Sequence, residues 1–240
     1  MLKLVNVSKS YNKGTIKAVD NLTLEVRQGE IFGFLGPNGA GKTTTIKMIA
    51  GLLENDTGSI VINDIDNKIN PLKAKKQFGF VPDSPHIYDR ITGLEYLNFL
   101  GDVYGVPSNE RAVTIKNLAG LFELEDALGD IIQSYSHGMQ QKLVLIGSLI
   151  HNPPVWILDE PMVGLDPRSS HNLKQLMHEH CDKGSSVFFS THILDVAEKL
   201  CDRIGIIHKG QLIFHGTMDK LRGEKAGSES LENIFLEMTE

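Results

Sequence analysis

Apolar residues along the chain follow two patterns, one typical of strands and one typical of helices. Residues 2–7 and 22–26 alternate between apolar and polar side chains, as half-buried strands do. Nearly continuous apolar runs at 31–35, 59–63 and 78–81 indicate further strands. Because most of these early strands have no helix between them, we expect an antiparallel flank in the first third of the chain.

The apolar pattern becomes helical at about residue 92 and stays helical to about residue 150. Leu94, Leu97 and Leu100 begin a series of apolar positions spaced by three and four residues. This is more helix than one crossover connection needs. We therefore predict a helical subdomain at about 84–150.

Strands and helices alternate in the last third of the chain, which favours a mostly parallel sheet. The pattern predicts strands at 155–159, 186–190, 203–208 and 211–215, helices at 167–181, 193–201 and 231–238, and a polar loop at 223–230. The predicted fold is α/β. Its expected units are a core with the antiparallel flank at 1–83, the helical subdomain at 84–150, the continued core at 151–222 and a tail helix within 223–240.

A glycine-rich stretch follows the predicted strand at 31–35, and a run suited to a helix comes after it. Its sequence, Gly36-Pro37-Asn38-Gly39-Ala40-Gly41-Lys42-Thr43-Thr44, has the form of the phosphate-binding P-loop. Glycines let backbone N–H groups face an anion, and the helix N-terminus adds partial positive charge. We expect nucleotide contacts from Asn38, Gly39, Ala40, Gly41, Lys42, Thr43 and Thr44. Lys42 would reach the β- and γ-phosphates, and the Thr43 hydroxyl would bind Mg²⁺.

Two acidic residues end the predicted strand at 155–159 and precede Pro161. Asp159 is placed to bind Mg²⁺, and Glu160, on another face, can orient the water that attacks the γ-phosphate. A simple turn after a strand is the structural alternative. The P-loop earlier in the chain favours the catalytic interpretation.

Three further motifs complete an order that resembles one family, the ATP-binding-cassette (ABC) ATPases. Ser136-His137-Gly138-Met139 occupies the place of the family signature, Gly164-Leu165-Asp166 matches its D-loop, and Ser190-Thr191-His192 ends the next strand where the family has its switch histidine. The resemblance covers about residues 1–220. It implies a P-loop NTPase core, ATP and Mg²⁺ as cofactors, and two chains arranged head to tail around two ATP molecules.

The resemblance also assigns roles to residues that are ambiguous by themselves. It implies that Tyr11 stacks on adenine, that Ser136 and Gly138 meet the γ-phosphate held by a partner chain, and that His192 senses that phosphate. Without the resemblance, Tyr11 is a half-buried aromatic in a loop at 10–14, Ser136 is a helix N-cap, and His192 is a structural hydrogen-bonding residue.

Some residues depart from the family pattern. Asp83 stands where the family usually has glutamine, and its carboxylate is a good Mg²⁺ ligand. We therefore expect altered metal affinity or an altered pH dependence of turnover. His137 and Met139 also replace family residues, but Lys42 and the catalytic carboxylates are retained.

Composition narrows the choice of partners. The net charge of −6 gives no overall basic field for nucleic acid or anionic lipid. The N-terminus does not resemble a signal peptide, and no apolar stretch approaches the roughly 20 residues that span a bilayer. We expect a cytoplasmic protein, peripheral at the inner face of the cell membrane through a permease. Ile87, Tyr88 and Tyr96 are candidates for docking that permease or for ordinary subdomain core.

The predicted function is ATP binding and hydrolysis by a subunit that pairs with a second cassette, either an identical chain or a paralogue, and drives a separate permease. The resemblance to simple exporter-type subunits favours export, and the absence of a long C-terminal domain argues against the sugar-importer branch. One alternative is a non-transport ABC ATPase acting on a ribosome or DNA, although such proteins usually carry two cassettes or a coiled-coil insertion. Another is a P-loop kinase, which leaves Ser136 and His192 unexplained.

Overall fold

The computed structural model describes residues 1–85, 87–224 and 231–239, and within them the chain forms ten strands and nine α-helices. The strands are β1 (Leu2–Tyr11), β2 (Ile16–Val26), β3 (Ile31–Leu35), β4 (Thr57–Ile62), β5 (Ile65–Asp66), β6 (Phe78–Val81), β7 (Val155–Asp159), β8 (Ser186–Thr191), β9 (Arg203–His208) and β10 (Gln211–Gly216). The helices are α1 (Lys42–Ile49), α2 (Pro71–Lys75), α3 (Gly93–Tyr104), α4 (Ser108–Leu121), α5 (His137–Leu149), α6 (Pro167–Asp182), α7 (Leu194–Leu200), α8 (Met218–Glu224) and α9 (Leu231–Thr239).

The strands form two sheets. The larger sheet has the order β10-β9-β3-β8-β7-β6 and is parallel except for β10. The smaller sheet, β2-β1-β4-β5, is antiparallel throughout. Every residue of β3, β7 and β8 is buried. Burial on both faces explains the apolar runs at 31–35, 155–158 and 187–189. The predicted α/β fold, with its mostly parallel sheet and antiparallel flank, is confirmed.

The first two strands are longer than their alternation predicts. β1 continues to Tyr11, which pairs with Ile16 of β2, so Tyr11 lies at a strand end rather than in a loop. The pairing shifts register between Leu4 and Val7, and Asn6 has a positive φ of 51°. These irregularities interrupt the two-residue period, which hides the second half of the strand in the sequence.

The helical segment packs against one face of the larger sheet. α3 begins with a capping box in which Thr92 and Glu95 satisfy each other's backbone N–H groups. Leu97 of α3 and Leu143 of α5 share one apolar cluster with Trp156 of β7. The predicted helices over this segment are present, and the division of the chain into separate units stays a prediction.

The chain ends with two short helices. α8 occupies residues 218–224 and therefore includes 223 and 224, the first two residues of the loop predicted at 223–230. Residues 225–230 of that loop lie outside the described residues. α9 confirms the predicted tail helix, and its Ile234 packs with Ala197 of α7 and Leu221 of α8. No helix in the described ranges is long and apolar enough to cross a membrane.

Candidate active site

The P-loop fills the space between β3 and α1, and its glycines are required by close backbone contacts. A methyl group on Gly36 would lie 2.4 Å from the carbonyl oxygen of Ile207, and one on Gly41 would lie 2.5 Å from that of Ala18. Gly41 also has a φ of 113° as the N-cap of α1. The loop is therefore wedged between β9 and β2, with its open side facing a cavity.

The cavity collects most of the residues predicted to bind nucleotide. It is lined by Ala18, Pro37, Asn38, Gly39, Gly41, Lys42, Thr43, Thr44, Asp83 and Glu160. Lys42 is only 6% exposed, and its Nζ donates hydrogen bonds to the carbonyl oxygens of Gly36 at 2.7 Å and Pro37 at 3.3 Å. The ammonium group is thus held at the cavity wall, where a bound phosphate would meet it.

Asp159 lies at the end of β7 and is 2% exposed. The Ser190 hydroxyl donates a hydrogen bond to its Oδ1 at 2.5 Å, and Thr43 also hydrogen-bonds to its side chain. Burial raises the pKa of Asp159, and these two hydrogen bonds oppose the rise. The negative charges of Asp83 and Glu160 add to it. A cation in the cavity would relieve this crowding of carboxylates.

Glu160 is the point at which the predicted catalytic residues meet. Its Oε1 lies 3.0 Å from Nδ1 of His192 and 3.6 Å from Nζ of Lys42. Its backbone has a φ of 47°, which is unusual for a residue with a side chain, and its N–H donates to the Ser190 hydroxyl at 3.0 Å. The strained turn and this hydrogen bond aim the carboxylate into the cavity.

The residues around the cavity suit a magnesium ion that is shared with a nucleotide. Thr43 and Asp83 line the same space, and Thr43 hydrogen-bonds to Asp159. No group of three or more histidine, cysteine, aspartate or glutamate side chains in the described part of the chain is arranged to hold a metal by itself. Mg²⁺ typically takes one or two carboxylates, and substrate phosphates and water supply the rest.

Four of the predicted ATP contacts, Tyr11, Ala40, Ser136 and Gly138, are not among the described residues that line this cavity. Ala40 is buried within the P-loop itself. Ser136 is exposed at the N-cap of α5, where its Oγ accepts a hydrogen bond from the Met139 N–H at 3.2 Å. Neither Ser136 nor Gly138 is among the described residues that line the cavity of the same chain. Tyr11, 40% exposed, is not among them either.

A contact that sequence reasoning missed joins the start of α5 to the turn after Glu160. A methyl group on Gly164, whose φ is 80°, would lie 2.7 Å from Cδ2 of His137. A methyl group on Gly138 would lie 2.8 Å from the Gly164 carbonyl oxygen. Nearby, Lys142 Nζ pairs with Asp166 Oδ2 at 2.8 Å. His137 occupies a position where the family signature usually has glycine, and its ring is packed on Gly164.

Ser190 begins the motif Ser190-Thr191-His192, and its hydrogen-bonding role was not predicted from the sequence. It is fully buried and contacts the side chain of Asp159 at the end of β7 and the backbone N–H of Glu160 directly after it. The available signal was a serine that directly follows the apolar residues 187–189 of β8. A hydroxyl in such a position needs a partner, because burying it unpaired is costly.

A glycine-rich cradle between a buried strand and a helix, facing a buried aspartate and a neighbouring glutamate, defines a P-loop nucleoside triphosphatase. The chain belongs to the ABC transporter family, because the family model described as ABC transporter matches residues 19–163. It is similar to the linearmycin resistance ATP-binding protein LnrL of Bacillus subtilis (strain 168). The two are 37% identical over 97% of this chain and 74% of LnrL.

Solved structures agree with this assignment. The structure of an ATP-binding subunit of an ABC transporter matches with a TM-score of 0.94 and 35% identity over 100% of both chains. The dimeric ATP-binding cassette MJ0796, in a post-hydrolysis state with ADP and Pi, matches with a TM-score of 0.82 and 27% identity over 91% of this chain and 99% of the other. The protein is an ATP-binding subunit of an ABC transporter and an ATPase, as the resemblance implied.

Proposed function

We propose that this subunit hydrolyses MgATP in sites shared between two cassettes and thereby drives a separate membrane permease, in the direction of export. The observation that carries the proposal is the split arrangement of the site. Lys42 and Glu160 line one cavity and His192 contacts Glu160, whereas Ser136 and Gly138 are not among the described residues that line it. A second chain can bring its own signature residues to that cavity.

Each residue of the cavity has a chemical role in this proposal. The loop from Asn38 to Thr44 holds the phosphates, and Lys42 offsets the charge of the β- and γ-phosphates. Thr43, Asp159 and Asp83 supply oxygen ligands for Mg²⁺, either directly or through water. When the ion is bound, it offsets charge on the phosphates as the terminal phosphoryl group leaves.

Glu160 orients the attacking water in line with the γ-phosphate, and His192 supports it. The 3.0 Å contact between His192 Nδ1 and Glu160 Oε1 fixes the carboxylate. A ring that carries a proton on both nitrogens donates to Glu160 through Nδ1 and can donate to the γ-phosphate through Nε2. Tyr11, at the end of β1, would supply an adenine-stacking ring, and its exposed position leaves the ring accessible.

The composite site is tested by trapping the ATP-bound dimer. Glu160→Gln keeps the size of the side chain but weakens its ability to polarise water, so this variant should bind ATP, hydrolyse it poorly and elute as a dimer in size-exclusion chromatography. The matched variant Glu160→Gln/Ser136→Arg keeps the whole P-loop and should bind ATP as a monomer. A monomer from the first variant, or a dimer from the second, contradicts the shared site.

A groove beside β6 and α3 is the proposed docking site for the permease. It is lined by Ala50, Leu52, Lys75, Phe78, Phe80, Tyr96, Leu100, Tyr104, Val144, Gly147 and Ser148. Tyr88 is 66% exposed and packs edge-on against Phe99, with ring centroids 6.1 Å apart. Tyr96 is buried, and Ile87 is half-buried against the same cluster, so Tyr88 is the most available of the three docking candidates.

Transport is preferred over action on a ribosome or DNA for two reasons. The groove is apolar, which suits a permease helix, and the chain carries a net charge of −6, which opposes nucleic-acid binding. LnrL is named for resistance, and that name is in keeping with export. Co-purification with a polytopic membrane protein would support both the transport role and a cytoplasmic location at the membrane. Co-purification with ribosomes or DNA overturns it.

A further inference from the structure

One short segment of this acidic protein is basic. The segment at 68–76, which we call the basic segment, contains Lys68, Lys73, Lys75 and Lys76, and all four lysines are exposed. The whole chain has a net charge of −6, so the charge of this segment is opposite to that of the protein. The helix α2 within the segment was not predicted from the sequence.

Two apolar side chains stand out from the same segment. Leu72 is 77% exposed and Ile69 is 75% exposed, the highest values among large hydrophobic residues in the parts of the chain that the structure describes. Ala74 is the buried residue of α2. The short helix therefore rests on the protein through a small side chain and presents its long side chains outward.

The lysines are available for an external partner. None of the four has a carboxylate oxygen within 4.0 Å of its ammonium group across the described residues. Asp66 is nearby, but its Oδ1 accepts the backbone N–H groups of Lys68 at 2.8 Å and Ile69 at 3.0 Å. This aspartate therefore fixes the turn that presents Ile69.

The position of the segment indicates which way it faces. Lys75 lines the groove that contains Leu52 and Phe80, the groove to which the permease is assigned above. Leu52, also exposed, lines the same groove. The basic segment and the docking groove are therefore continuous, and a permease seated in the groove would hold the segment close to the bilayer.

We propose that the basic segment is a contact site for an anionic lipid surface. The lysine ammonium groups meet headgroup phosphates, and Ile69 and Leu72 enter the boundary between headgroups and acyl chains. Only the orientation toward the membrane depends on the proposed function, because lipid binding needs neither ATP nor the permease.

The strength of the contact follows from its composition. Each lysine near an anionic surface raises the partition coefficient roughly fivefold, and this gain decreases with salt. Two apolar side chains add a small further contribution. The contact is therefore weak for the free subunit. It becomes effective when a permease already confines the subunit at the membrane, because the second contact is then intramolecular.

The test is sedimentation of the purified full-length chain with vesicles. We expect binding to vesicles of equimolar phosphatidylcholine and phosphatidylglycerol, weaker binding at higher salt, and little binding to phosphatidylcholine alone. Lys73→Gln/Lys76→Gln should lower the partition coefficient about 25-fold, from the fivefold value per lysine. Leu72→Ser should lower it at every salt concentration.

Lys116→Gln/Lys183→Gln is the matched control, because it removes two exposed lysines elsewhere and changes the net charge equally. Its partition coefficient should stay within about twofold of that of the unaltered protein. The proposal is overturned if the protein binds equally to vesicles with and without phosphatidylglycerol. It is also overturned if the two double-lysine variants lower the partition coefficient equally. It is also overturned if the basic segment binds only carboxylates of a permease, since vesicle binding would then be absent. A failure of ATP-dependent dimerisation leaves the vesicle result unaffected.

Discussion

Replacing Ser190 with alanine should destabilise the protein strongly, because one hydroxyl group serves two partners. The Ser190 Oγ donates to Asp159 Oδ1 at 2.5 Å and accepts the Glu160 N–H at 3.0 Å, and the serine is fully buried. A hydrogen bond to a charged group contributes about 1.5–3 kcal/mol, and a buried unpaired N–H costs about 1–3 kcal/mol. Since Thr43 still hydrogen-bonds to Asp159, we expect a loss of about 3–4 kcal/mol in the free energy of unfolding.

Ser186 provides a matched control on the same strand. It is also fully buried, but its hydroxyl donates to the neutral carbonyl oxygen of Arg27 at 2.7 Å. Ser186→Ala removes the same atom and should cost about 1 kcal/mol. Urea unfolding can be followed by the fluorescence of Trp156, the only tryptophan of the chain, which is fully buried in β7.

The difference between the two variants should depend on pH. Burial raises the pKa of Asp159 above its ordinary value of 3.8, and the Ser190 hydrogen bond lowers it, so Ser190→Ala should raise it further. A folded-state carboxyl with a raised pKa retains a proton that the unfolded chain releases, and stability therefore falls as pH rises through this range. The gap between the variants should be smaller near pH 4 than at neutral pH. A gap below about 1 kcal/mol at neutral pH, or one that does not change with pH, refutes this reasoning.

Three further predictions concern contacts described above. Gly164→Ala should destabilise the His137→Ala variant less than it destabilises the unaltered protein, by at least about 1 kcal/mol, because removal of the ring clears space for the new methyl group. A double-mutant cycle measured by urea unfolding tests this, and strictly additive losses of stability contradict the contact. Asp83→Asn should raise the Mg²⁺ concentration needed for half-maximal ATP hydrolysis, and an unchanged Mg²⁺ titration and pH profile exclude a role in metal binding. Burial lowers the pKa of His151 to about 4. As pH falls from about 6.5 to about 4, the unfolded chain takes up a proton that the folded protein does not, so the free energy of unfolding should fall by on the order of 2–3 kcal/mol. His151→Gln should remove this contribution in urea unfolding, and an unchanged pH dependence of stability contradicts the prediction.

Local patterns in the sequence predicted the elements that carry the site. The P-loop has a fixed spacing between Gly36 and Thr43, and the strand before Asp159 is continuously apolar, so both are visible within a short window. The same is true of the helices, which repeat their apolar positions. Residue identities were sufficient to nominate Glu160 and His192, but their contact through Oε1 and Nδ1 required the structure.

The features that were missed depend on irregular or long-range structure. Ser190 lies 31 residues from Asp159, and His137 packs on a glycine that follows in a separate turn. Neither contact has a periodic signal. The helix α2 has five residues and one buried side chain, Ala74, so it carries too little periodicity to predict. The net charge is a sum over the whole chain, so it gave no indication of the four lysines that lie together in the basic segment.

The hydrogen bonds of Lys42 to the two loop carbonyls have a consequence for the entropy of nucleotide binding. A lysine side chain that is ordered from a free state loses up to about 2 kcal/mol of rotamer entropy. Here Nζ already has fixed partners in Gly36 and Pro37, so that entropy is lost when the protein folds. When a phosphate binds, Nζ exchanges the carbonyl oxygens for phosphate oxygens, and the lysine side chain does not have to be ordered at that step. The affinity of the loop is therefore determined mainly by the exchange of hydrogen bonds and charges.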